Sequence, residues 1–148
     1  MKIYLDNCTF NRPFDDQKQI RIHIEAEAKL YIQQKIKEKE IALVWSYILD
    51  YENAQNPFEE RKKAILKWKE LADVDIEENE SIIKKATEIK KKGLKAKDAL
   101  HIACAIEGKA EYFITTDDMI IKKMKNTKII RIIDPVGFIR EIDSEVIL

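Results

Sequence analysis

The chain has 148 residues, 45% of them apolar, enough for one domain with a real core and against a disordered protein. Its 27 basic and 27 acidic residues cancel to a formal net charge of zero, which argues against a protein coated in positive charge for nucleic acid but leaves room for a local basic patch. No apolar run reaches membrane-spanning length. Two cysteines, Cys8 and Cys104, without a signal-peptide pattern predict a reducing, cytoplasmic setting and no membrane partner.

Ile3-Tyr4-Leu5 is a short apolar run that stops at Asp6, as expected of a strand buried on both faces of a parallel sheet. The stretch from Asn7 to Asp16 is rich in turn formers and reads as a loop. Helical spacing of Ile20, Ile24, Ala28, Tyr31, Ile32 and Ile36 predicts a long amphipathic helix over 17–39. Ile41 to Trp45 is the second strand, and Ser46 caps a helix carrying Asp50, Glu52 and Asn53. Pro57 opens a further helix reaching about Leu71. Val74-Asp75-Ile76 is a short edge strand, and a helix over 79–92 stops at Gly93. The segment Lys97–Ile106 is a helix rich in small residues, followed by the strand Tyr112–Thr115, a short helix bearing Met119, Ile120 and Met124, and a last strand over 128–133. Alternating strands and helices predict one α/β domain over 1–148, a three-layer α/β/α arrangement around a mainly parallel sheet.

Two apolar strands end in acids, Asp6 and Asp117. Right-handed crossovers put the carboxyl ends of all parallel strands on one edge, where such sheets bind ligands. Glu52 and Asp98 lie in helices that start beside that edge, so the fold can gather four acids from distant stretches of chain. Two carboxylates about 5 Å apart repel by roughly 3 kcal/mol at an effective dielectric near 20. A cluster of four must protonate in part, meet basic groups or bind a cation, and an all-oxygen ligand set favours Mg²⁺ or Mn²⁺ over zinc.

Other residues carry weaker signals. His101 shares a helix face with Asp98 and could ligate beside it, although packing or a supporting hydrogen bond is the commoner use of such a histidine. Cys8 and Cys104 have no paired histidine and read as small buried residues rather than nucleophiles. His23 reads as a surface residue, and Trp45 and Trp68 as core. The lysine-rich stretches 90–97 and 122–128, and Arg12, could track a phosphate backbone. A haloacid-dehalogenase-like phosphatase would want a second Asp where Cys8 stands. A receiver domain would want an acceptor Asp that the weak Asp75 does not supply. No Gly-rich turn follows a strand, so nucleotide loops are excluded.

The stretches Ile3-Tyr4-Leu5-Asp6-Asn7, Glu52 after Ser46, Lys97-Asp98-Ala99-Leu100-His101-Ile102-Ala103 and Phe113-Ile114-Thr115-Thr116-Asp117 resemble, in order, the four acidic motifs of PIN domains. The likeness is greatest to small prokaryotic PIN proteins, VapC-type toxins among them. It implies a Mg²⁺- or Mn²⁺-dependent endoribonuclease with Asp6, Glu52, Asp98 and Asp117 as the catalytic set and Asp6, Asp98 and Asp117 holding metal. RNA would be the substrate, with an antitoxin protein and a second copy of the chain as expected partners. Asp117 rather than Asp118 matches the family's Thr-x-Asp spacing. Asp50 competes with Glu52, which is favoured. Cys8 stands where the family usually has a polar helper, leaving Asn7, Cys8 and Thr9 as alternatives for that task. A catalytically silent module that only holds nucleic acid or protein is the alternative function.

Overall fold

The computed structural model describes residues 1–147. Strand β1 (Lys2–Leu5) is central, because its apolar side chains can be covered on both faces. It pairs in parallel with β2 (Ala42–Ser46) on one side and β4 (Tyr112–Ile114) on the other. The short strands β3 (Val74–Ile76) and β5 (Arg131–Ile133) form the edges, giving the five-stranded order β3-β2-β1-β4-β5. The order reverses at β1, so the crevice between β1 and β4 is the topological switch point at which ligands bind in such sheets.

Alternation along the strands sorts the two faces. Tyr4, Val44 and Phe113 are registered neighbours facing α6 (Ala96–Glu107), while Trp45 turns the other way to meet Phe10 edge-on at 5.4 Å. The face towards α6 also carries α5 (Glu80–Lys90), packed on α6. On the opposite face α2 (Ile20–Lys37) packs on α8 (Pro135–Ile147). This is the three-layer α/β/α arrangement. Gly108 ends α6 where a Cβ would stand 2.6 Å from Val44 Cγ1, so only glycine lets the helix end lie this close to the sheet. Gly93 turns the chain between α5 and α6 at a φ of 96°. None of the described helices is long and apolar enough to cross a membrane.

Several elements depart from the sequence reading. The loop after β1 is helical, as α1 (Asn7–Asn11) followed by a 3₁₀ turn at Arg12–Phe14, because Asp6 caps α1 by accepting from the Thr9 amide. Helix α2 turns a different face inward from the one its isoleucines suggest. Ala28, Ile32 and Ile36 are buried, but so are Glu25, Lys29 and Gln33, and Ile20, Ile24 and Tyr31 face outward. Pro57 precedes α4 (Glu59–Leu71) rather than opening it. Helix α8 has no counterpart in the sequence reading. Its start is marked by Asp134, whose Oδ1 accepts from the Gly137 amide at 2.6 Å, and by Pro135 in the first turn.

Candidate active site

Asp6 leaves β1 with its amide donating to the Ile114 carbonyl of β4 at 3.2 Å, so the ends of the two central strands are tied together. Asp6 is 5% exposed, and its carboxylate is used asymmetrically. Oδ1 accepts from the Thr9 amide (3.1 Å), Thr9 Oγ1 (2.9 Å) and Cys8 Sγ (3.0 Å). Among the described residues Oδ2 has no hydrogen-bond partner, and one oxygen remains for a ligand.

On the neighbouring strand, Thr115 Oγ1 accepts from the Asp117 amide at 3.0 Å, which is what the Thr-x-Asp spacing does. Asp117 caps the short helix α7 (Asp118–Lys123) through Oδ1, accepting from the Met119 amide at 2.9 Å. Asp118 points elsewhere, gripped by Arg21 through two bonds of 2.7 Å. Asp98 sits in the first turn of α6 with no hydrogen bond to its carboxylate among the described residues.

Burial first, then Asp117, push the Asp98 carboxyl above its ordinary value; Asp6 and Glu52 add to this and His101 opposes it. Asp98 therefore lies within electrostatic reach of the other three acids. Among the described residues no three His, Cys, Asp or Glu side chains close into a ready metal site, so the carboxylates do not meet at one point. The donor set nonetheless fits a hard divalent ion. Asp6 Oδ2, the Asp98 carboxylate and the second oxygen of Asp117 are all uncommitted, and all are oxygens.

Glu52 is held differently. Ser46 accepts from the Leu49 amide at 3.3 Å and starts α3 (Tyr47–Ala54), on which Asp50 and Glu52 point to different sides. Asp50 is bound by Trp45 Nε1 (3.0 Å) and Lys69 Nζ (3.1 Å), away from the other acids. Glu52 instead pairs through Oε1 with His101 Nε2 and accepts from Asn7 Nδ2 at Oε2, 3.4 Å away. Burial works to raise the Glu52 carboxyl, but the His101 bond and charge, with Lys97 and Asn7, outweigh it and leave it below its ordinary value.

The polar helper's task is divided. Cys8 and Thr9 orient Asp6, and Asn7 reaches Glu52. The Cys8 thiol is pushed far up by burial and by Asp6, and it accepts from Thr116 Oγ1 at 3.1 Å, so it serves as a hydrogen-bonding strut and not as a nucleophile. Arg12 is committed inside the fold, to Asp15 at 3.2 Å and to the buried Glu25 at 3.3 Å. Sequence reasoning passed over Tyr4, whose hydroxyl touches both Ser46 and His101. Its one signal was an aromatic hydroxyl in an otherwise aliphatic strand.

Comparison with known proteins agrees with the fold. The PIN domain family model matches residues 3–126. No curated protein matches the chain significantly. VapBC2 of Rickettsia felis, solved bound to a DNA fragment from its promoter, has a similar fold with a TM-score of 0.54 at 16% identity, over 89% of this chain and 97% of that one. VapBC-1 of nontypeable Haemophilus influenzae also gives a TM-score of 0.54, at 19% identity over 92% of this chain and 99% of that one. With 124 of its 148 residues under the family model and its acids gathered at the switch point of the sheet, this chain belongs to the PIN-domain family.

Proposed function

We propose that the protein is a Mg²⁺- or Mn²⁺-dependent endoribonuclease that hydrolyses RNA, and that it is the toxin of a toxin–antitoxin pair. The observation that carries the reading is that Asp6 and Asp117 follow the tied ends of β1 and β4, with Asp98 close enough for both to raise its carboxyl. That charge is relieved by a divalent cation. Asp6, Asp98 and Asp117 offer the free oxygens to hold it. When bound, such an ion polarises the phosphodiester, lowers the pKa of an attacking water and stabilises the leaving oxygen.

The chain's own groups do the rest. Glu52, fixed by His101 and Asn7, presents a carboxylate that can orient the water and take up its proton. The lysines of 90–97 and 122–128 flank Asp98 and Asp117 and can hold the phosphate backbone across the site. Two VapBC structures share the fold, which supports an antitoxin as the partner that silences the free enzyme.

The test is cleavage of a panel of structured RNAs by purified protein with Mn²⁺, with chelator and with Asp98→Asn. Metal-dependent cleavage that Asp98→Asn abolishes, with the fold retained, is expected. Unchanged cleavage by the variant rejects the site, and metal binding without cleavage of any RNA favours the silent module. Growth arrest on expression, relieved by the same substitution, tests the toxin assignment.

A further inference from the structure

A continuous chain of buried polar groups runs from the sheet to Glu52. Tyr4, at the centre of β1, has its hydroxyl 2.7 Å from Ser46 Oγ and 2.5 Å from His101 Nδ1, and the other nitrogen of that imidazole meets Glu52 Oε1. Tyr4 and Ser46 are fully buried and His101 is 2% exposed. The Tyr4 ring cannot swing away. It stacks on Phe113 at 5.4 Å with the planes 9° apart, and it meets the His101 ring edge-on.

The order of donors follows from chemistry. An ionised Glu52 only accepts, so His101 Nε2 carries the proton between them. Nδ1 on the far side of the ring meets the Tyr4 hydroxyl, which also meets Ser46 Oγ. A phenol in the middle of a parallel strand is expensive to bury unless it is paired, and a phenylalanine would fill the same space without that cost. The hydroxyl is thus explained by what it does to His101. It fixes the ring orientation, and through it the direction in which Glu52 points.

We propose that Tyr4 and His101 are positioning residues for the nuclease, a buried relay that holds Glu52 as an oriented carboxylate apart from the three aspartates. The inference rests on the nuclease reading for its rate predictions, but its geometry is tested independently. Partners behind a functional carboxylate or imidazole are worth roughly 10–100-fold in metal affinity or activity.

The experiment is a double-mutant cycle on RNA cleavage, with imidazole ¹⁵N spectra of the metal-free protein alongside. Tyr4→Phe and His101→Leu are expected to slow cleavage about 10–100-fold. Combining His101→Leu with Glu52→Gln should be no slower than Glu52→Gln alone. His101→Gln, whose amide can still donate to Glu52, should recover much of the loss. Losses that multiply in the double variant, or a glutamine no better than the leucine, would make His101 a packing residue and overturn the proposal.

In the spectra, His101 Nε2 should carry a proton with a strongly downfield signal that moves in Glu52→Gln, and the Nδ1 signal should move in Tyr4→Phe. An Nε2 without a proton, or signals indifferent to both substitutions, refutes the relay. Should the wild type cleave no RNA, the nuclease reading fails while these spectra still decide the relay.

Discussion

Lys123 donates through Nζ to the carbonyl of Gly93 at 2.7 Å, and this bond ties the turn between α5 and α6 to α7. The two lysine-rich stretches are thereby joined into one ridge beside Asp98 and Asp117. Residues 90–97 and 122–128 hold Lys90, Lys91, Lys92, Lys95, Lys97, Lys122, Lys123, Lys125 and Lys128 and no acid, in a chain whose overall charge is zero. Lys92, Lys95, Lys122 and Lys125 are exposed or nearly so.

Reversing Lys92 and Lys125 to glutamate is therefore expected to weaken single-stranded RNA binding and to flatten its salt dependence. Each lost phosphate contact lowers the slope of log K against log salt by about 0.7. Fluorescence anisotropy with cleavage-dead Asp98→Asn protein reads this directly. An unchanged slope would place the RNA on another face.

Asp98→Asn should stabilise the metal-free protein. Because the Asp98 carboxyl is raised in the fold, its ionised form costs stability as pH climbs from the ordinary carboxylate value through the folded one, and the full cost stands at neutral pH. Removing the charge is expected to raise Tm at pH 7 by about 2–5 °C, with the gain fading at about pH 3–4. Mn²⁺ should raise the Tm of the wild type and leave that of the variant unmoved. Thermal melts across pH check both.

Glu52→Gln should act with the opposite sign. Burial opposes ionisation of Glu52, yet His101, Lys97 and Asn7 leave it below its ordinary value, so its contribution is present above the unfolded carboxylate pKa and is lost as pH falls through the folded one. The variant is expected to lose about 1–3 kcal/mol at pH 7, as for a charge-assisted hydrogen bond, and nearly nothing at about pH 3. Two acids of one pocket would then separate cleanly in denaturant melts.

Lys29 is 2% exposed, with its ammonium 5.2 Å from the centre of the Phe10 ring and 5.5 Å from that of Trp68. Burial, and secondarily Lys37, lower its pKa to about 7. The unfolded chain holds this proton up to about pH 10.4. Stability should therefore rise between those two values as the cost of charging Lys29 disappears. Lys29→Met is expected to raise Tm more at pH 6 than at pH 10, and an equal gain at both would show that the amine is not charged against the aromatic rings.

Much of this protein was legible in its residues one stretch at a time. Apolar runs halting at Asp6 and Asp117, Ser46 before α3, and the small residues of α6 are local signals, and each worked through backbone geometry within a few positions of itself. The inward face of α2 was not legible, because Glu25 and Lys29 are buried by partners, Arg12 for one and the Phe10 and Trp68 rings for the other, that lie elsewhere in the chain. Helix α8 was not legible because its cap, Asp134, follows directly on the last strand.

The choice between Asp50 and Glu52 also belonged to the tertiary structure. Periodicity could say that they diverge, but only the positions of Lys69 and His101, on two other helices, decide which carboxylate turns towards Asp98. The relay from Tyr4 is of the same kind, since its members stand 42 and 97 residues apart in sequence. The order of residues along the chain determined the strands, the caps and the identity of the acids. Folding alone determined which charges meet, because electrostatic and hydrogen-bond energies depend on distance in space, and distance in space is set by how the layers pack.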